Sequence, residues 1–155
     1  MLNIRPAAAE DQPTIRRIVN AEHLDPTSLH WEHFLIAEID GELAGIGQIK
    51  EYPGCQELGS LVVLPAYRRR GIAAQLIAAL EARARRPLYL MCRDHMAPYY
   101  ARFGYEIIGL RQAPSFLRLK LLPTLLFRLF GLRVYLMRKT AAQIKDGPKA
   151  AFHSD

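Results

Sequence analysis

Arg68-Arg69-Arg70-Gly71-Ile72-Ala73 puts three guanidinium groups beside a glycine, where an apolar run from Leu58 to Leu64 gives way to helical spacing. A strand entering a helix through such a turn leaves the first helical N–H groups unpaired, with the positive end of the helix dipole behind them. Anions bind at such ends, and Gly71, lacking a Cβ, lets the backbone come close to a phosphate. The chemistry indicated is the holding of a phosphorylated ligand. Two common phosphate loops are excluded, because the chain contains neither G-x-x-x-x-G-K-[ST] nor G-x-G-x-x-G.

Other reactive residue types make thinner patterns. His30 and His33 share one helical face, with His23 and Glu32 nearby, but no third ligand stands at a convincing spacing, so no metal is expected. Cys55 and Cys92 are the only two cysteines, lie far apart and read as free thiols of a reducing compartment. Ser60 and Ser115 lack a G-x-S-x-G context.

The elements that must carry these residues follow from periodicity and punctuation. Residues 2–6 read as a strand, and Asp11 with Pro13 opens a helix bearing Ile15, Ile18 and Val19. Asp25-Pro26 looks like a second cap, leading to a short helical segment with His30, Trp31, His33 and Phe34. Strands 35–39 and 43–49 flank the hairpin signal Asp40-Gly41-Glu42, and Pro53-Gly54 turns the chain into a strand over 56–64. The spacing of Ile72, Leu76, Ile77 and Leu80 predicts a helix over 71–85, after which 87–92 is a buried strand parallel to 56–64. A helix around 96–103 ends at Gly104, followed by strands over 105–109 and 132–137. The fold class expected is α/β: a mixed, mostly antiparallel sheet of six or seven strands with helices on both faces. Residues 1–140 should form one domain, and 141–155 a loose tail.

Segment 111–131 stands apart. It is strongly apolar, reads as two helical pieces broken at Pro123, and belongs to a stretch from Ile107 to Lys145 without any Asp or Glu. A cover for the sheet, a homodimer contact and a wall of a substrate pocket are the readings open to it. Membrane-surface contact through 116–130 ranks last, because Pro123 should interrupt the face.

Arg68, Gly71 and Ala73 fill the fixed positions of [RQ]-x-x-G-x-[GA]; Leu61-Val62-Val63-Leu64-Pro65 precedes them, and Tyr99-Tyr100-Ala101-Arg102-Phe103-Gly104-Tyr105 follows some thirty residues later. This combination resembles the GNAT acetyltransferase superfamily over roughly residues 2 to 109, with Tyr105 where that superfamily usually has Phe. The resemblance implies N-acetyl transfer from acetyl-CoA to a primary amine by direct attack in a ternary complex. It implies that Arg68, Arg69, Arg70, Gly71, Ile72, Ala73 and Ala74 hold the pyrophosphate. Strand 58–64 should splay from strand 88–92, with the pantetheine arm bonded to the backbone of Leu61 and Val63 and faced by Val62. Glu57 becomes the candidate general base, with Glu51 and Asp94 as weaker substitutes, and Tyr100 the candidate acid for the departing thiolate. His30, Trp31 and Arg111 fall where the acceptor should bind. The alternative is a CoA-binding regulatory or scaffold module without turnover.

Composition agrees. The 155 residues suit one core, 50% are apolar, and no run is long and uncharged enough to span a membrane. With no secretory signal read at the N-terminus, the expected compartment is the cytoplasm. A net charge of +6 favours acidic partners, for which the CoA nucleotide is sufficient. The basic residues are scattered and accompany no nucleic-acid-reading motif, so no nucleic acid is expected.

Overall fold

Asp40 and Gly41 both take positive φ, +51° and +84°, which a two-residue hairpin turn needs in order to follow the twist of its strands. They join β2 (Phe34–Ile39) to β3 (Glu42–Tyr52) in the computed structural model, which describes residues 1–146. The other strands are β1 (Leu2–Pro6), β4 (Cys55–Val63), β5 (Leu88–Arg93), β6 (Glu106–Ile108) and β7 (Val134–Lys139). Together they make one seven-stranded sheet in the order β1-β2-β3-β4-β5-β7-β6. Pairing is antiparallel at β1–β2, β2–β3, β5–β7 and β6–β7, and parallel at β4–β5. The fold class read from the sequence is the one observed.

The chain forms two compact units, Met1–Lys50 with Leu58–Arg83, and Glu51–Glu57 with the described residues from Ala84 onward. In the first unit, α1 (Gln12–Ala21) begins with Pro13 in its first turn, where a missing N–H costs nothing. It buries Ile15, Ile18 and Val19 against Phe34, Ile36, Ile46 and Val62. The opposite face of β3 receives α2 (Ile72–Arg83), since Gly45 and Ile46 point to opposite sides of the strand. A Cβ on Gly45 would lie 2.8 Å from the Val62 carbonyl oxygen and 3.2 Å from Leu76 Cδ1. Glycine here permits the close approach of helix and sheet.

The helical segment expected to carry His30, Trp31, His33 and Phe34 is not formed. Only Trp31–His33 makes a single 3-10 turn, and Phe34 already belongs to β2. Asp25 does not cap a helix, because its carboxylate accepts from Thr27 N–H (2.9 Å) and Thr27 Oγ1 (2.6 Å) and pairs with Lys50 Nζ (2.9 Å). Gln12 adds two bonds, donating to the Leu29 carbonyl and accepting from the Trp31 N–H, each at 2.9 Å. Side-chain turns and tertiary bonds have taken the groups a helix would use.

In the second unit, Gln56 Oε1 accepts from the N–H groups of Arg85 and Arg86 at 2.9 and 3.1 Å, fixing the entry to β5. β7 lies between β5 and β6, and α3 (Ala97–Ala101) ends just before Gly104 at φ +88°. The two helical pieces expected on either side of Pro123 are one continuous helix, α4 (Ser115–Phe127), with Pro123 inside it. Proline removes its own bond to the carbonyl of residue 119 and crowds that carbonyl, but Leu119 is exposed, so the carbonyl can tilt outward and bond to water. Thr124 Oγ1 donates to the Leu121 carbonyl at 2.6 Å within the same turn. Leu117 and Leu121 anchor the helix on Cys55, Tyr89, Ile108, Ala113 and Leu136. The tail expected to be loose from 141 starts instead as α5 (Ala141–Lys145), capped by Thr140 accepting from Gln143 N–H; residues 147–155 lie outside those described.

Candidate active site

Between β4 and α2 the chain turns through Arg69 at φ +63° and Gly71 at φ +71°. The first intrahelical bond is Gln75 N–H to the Gly71 carbonyl at 3.2 Å, so the amides of Ile72, Ala73 and Ala74 have no acceptor within the helix. Around Gly71 a Cβ would meet nothing within 4 Å, which leaves the amides open to a ligand. Arg69, Arg70 and Gly71 are exposed, and Arg70 lies over the Tyr67 ring at 5.6 Å. Arg68 differs from its neighbours. Its Nε donates to the Val63 carbonyl at 3.0 Å and its Nη2 lies 3.8 Å from Glu22 Oε2, so it braces the end of β4.

Parallel pairing of β4 with β5 comprises Gln56↔Leu88 and Glu57↔Tyr89, both inside the second unit. Leu61, Val62 and Val63 form the end of β4 in the first unit, Val62 itself being buried in its core. Just before them Ser60 takes φ +50°, a left-handed residue inside a strand, and its Oγ accepts from Gln48 Nε2 at 2.9 Å.

Glu57 is 5% exposed, and its carboxylate meets Lys120 Nζ from α4 at 2.9 Å. The same ammonium donates to Tyr52 Oη at 2.9 Å and stands 5.1 Å from the centre of that ring, which stacks on Phe116 at 4.4 Å. Tyr100 is half-buried, edge-on to Tyr99 at 5.4 Å. Burial, with help from Cys92 and Tyr99, pushes its phenol up to about 12. Burial likewise pushes the Cys92 thiol up to about 11, and its Sγ contacts Met137 Sδ at 3.7 Å, so it stays protonated and unreactive at neutral pH. Trp31 packs on the core of the first unit, while His30 and Arg111 are exposed in different units. His30 and His33 meet edge-on at 5.8 Å, and among the described residues no three His, Cys, Asp or Glu side chains are grouped to hold a metal.

The sequence model of the acetyltransferase (GNAT) family matches residues 4–105. The chain belongs to the GNAT acetyltransferase family. No curated protein sequence matches this GNAT chain, but its fold recurs among solved structures. N-acetylglutamate synthase from Neisseria gonorrhoeae, complexed with coenzyme A and N-acetyl-glutamate, superposes with a TM-score of 0.73 at 21% identity, over 90% of this chain and 35% of that one. The GNAT chain thus spans about a third of that synthase's length. Rv2747 from Mycobacterium tuberculosis, in a complex containing CoA, gives 0.71 at 18% identity over 89% and 98% of the two chains. The ribosomal-protein-S18-alanine N-acetyltransferase of Escherichia coli gives 0.63 at 17% identity over the whole of both.

Three residues of this GNAT chain escaped sequence reasoning. Lys120 was hidden in an apolar segment, and its partner stands 63 residues away. Gln48 was also missed and Ser60 was weighed only as a nucleophile, although the Gly59-Ser60 pair inside an apolar run is a legible sign of a bulge.

Proposed function

We propose that this GNAT chain moves an acetyl group from acetyl-CoA to a primary amine by direct attack in a ternary complex. The observation that carries this is the open end of α2: unpaired amides of Ile72 to Ala74 behind a glycine at φ +71°, flanked by exposed Arg69 and Arg70. That set fits a diphosphate in charge and in the room left by the missing Cβ. Bound there, acetyl-CoA supplies an activated acyl thioester.

The chain's own residues do the rest. Arg68, Arg69, Arg70 and the helix amides offset the diphosphate charge, Arg68 from its place at the end of β4. The backbone of Leu61 and Val63, with Val62 beside them, takes the amide groups of the pantetheine arm. His30, Trp31 and Arg111 contact the acceptor. Glu57 takes one proton from the acceptor's ammonium, the neutral amine then attacks the thioester carbonyl, and as the C–S bond breaks Tyr100 gives a proton to the sulfur while the proton shed by the acylated nitrogen restores the phenol. A phenol near 12 donating to a thiolate near ~8.5 runs uphill by about 5 kcal/mol, so this transfer accompanies bond breaking rather than following it.

A second reading, a CoA-binding module without turnover, draws support from the contact between Glu57 and Lys120, which competes with use of that carboxylate as a base. Thiol release from acetyl-CoA, measured with a panel of amines, separates the two. Turnover with at least one amine is expected, lowered in Glu57→Gln and Tyr100→Phe; binding without release for every amine would favour the module. Charge reversal at Arg69 or Arg70 should weaken acetyl-CoA binding by calorimetry about tenfold or more. Unchanged affinity would remove the phosphate assignment.

A further inference from the structure

Helix α4 and the 3-10 turn after it, Arg128–Phe130, turn a row of large apolar side chains to solvent. Leu119, Leu122, Leu126 and Phe127 are each about half exposed or more, and Leu129 and Phe130 reach 82% and 85%. An exposed apolar surface of this kind marks an interaction site rather than ordinary scatter. Continuity of the helix through Pro123 removes the interruption that the sequence suggested. Among the described residues no helix is long and apolar enough to cross a membrane, so the segment can lie on one but not span it.

Charge decides which occupant fits. Between Ile107 and Lys145 there are eight Lys and Arg and no Asp or Glu. Arg128 and Arg133 are exposed, and among the described residues neither guanidinium has a hydrogen bond or ion pair. Both line a cavity of about 210 Å³ whose other walls include Ile108, Leu121, Leu125 and Leu136. Two unpartnered guanidiniums at the mouth of an apolar cavity suit an anionic head joined to a hydrocarbon tail. A second copy of the chain fits poorly, because a two-fold contact sets each patch against itself and would bring these cations together without counter-charges.

We propose that α4 and the following turn dock this protein onto an anionic lipid surface. Leu126, Leu129 and Phe130 enter the boundary of the acyl region, and Arg128 and Arg133 meet lipid phosphates. The test is co-sedimentation of the full chain with vesicles of phosphatidylcholine alone and of phosphatidylcholine mixed with phosphatidylglycerol. Binding is expected to the mixed vesicles and to weaken as salt rises. The triple change L126S/L129S/F130S should lower partitioning on the order of a hundredfold. The pair R128Q/R133Q should lower it about thirtyfold at low salt. All five side chains are exposed, so circular dichroism should show wild-type folding in both variants. In L129W, the added fluorescence should shift to the blue on mixed vesicles, compared with wild type, which carries Trp31 alone. A folded protein that stays in the supernatant, equal binding to neutral vesicles, or variants that bind as well as wild type would each overturn the proposal. So would a dimer in light scattering that the triple change dissolves, which would assign the face to a second copy.

Discussion

Replacing Lys120 by methionine should destabilise the fold far more than an exposed lysine change would. The ammonium sits 2.9 Å from the Glu57 carboxylate, with the two side chains 20% and 6% exposed. At that distance and an effective dielectric near ~20, the attraction is about 6 kcal/mol. Desolvation of both groups offsets much of it. Removing only the cation, however, leaves a buried carboxylate without compensation, at a cost of about 3–5 kcal/mol. Changing both residues, in Glu57→Gln with Lys120→Met, should cost only about 1 kcal/mol, because no buried charge is left alone. Urea unfolding of the four members of the cycle gives the interaction directly, expected at about 3 kcal/mol. A loss under about 1 kcal/mol for Lys120→Met, or additive single effects, would refute the reasoning. Turnover adds a second readout. If Glu57 is a base, Glu57→Gln lowers kcat by about a hundredfold or more beyond any loss of folded protein, and Lys120→Met does not. Equal losses for both would leave Glu57 a structural anchor of α4.

Two further outcomes follow from geometry. Burial raises the Tyr100 phenol from its ordinary value of 10 to about 12, so the stability gained by keeping it neutral is intact below pH 10 and is lost as pH climbs toward about 12. Tyr100→Phe should therefore flatten the fall of the thermal midpoint across that range, and an unchanged slope would show that the phenol is not the group titrating. Gly45→Ala puts a Cβ against the Val62 carbonyl, a backbone atom that cannot swing away, and should cost about 2 kcal/mol by chemical denaturation; a neutral result would mean that α2 can shift outward freely.

What the sequence made legible was local. The Asp40-Gly41 turn, the apolar strands beside it and the basic bend before α2 each depend on a few neighbouring residues, and each was found where expected. Segment 24–33 misled because its fate is set from a distance, by Lys50 and Gln12 reaching into it. Pro123 misled for the opposite reason: a real local penalty is outweighed by the packing of Leu117 and Leu121 on the helix's anchored face. The partner of Glu57 could not be read at all, since its contact with Lys120 depends on how α4 settles on Cys55, Tyr89 and Leu136. Ser60 was readable in principle, because a glycine-serine pair has no other reason to interrupt a buried strand.

Arg68 is as exposed as its neighbours but holds the Val63 carbonyl, so the bend before α2 carries a brace of its own. On the proposed function, part of the ordering entropy of that bend has been met during folding rather than at capture of the diphosphate. Association should then be limited by diffusion and charge rather than by a slow conformational step. Loosening that brace would then slow association by adding a step in which the bend must first take shape.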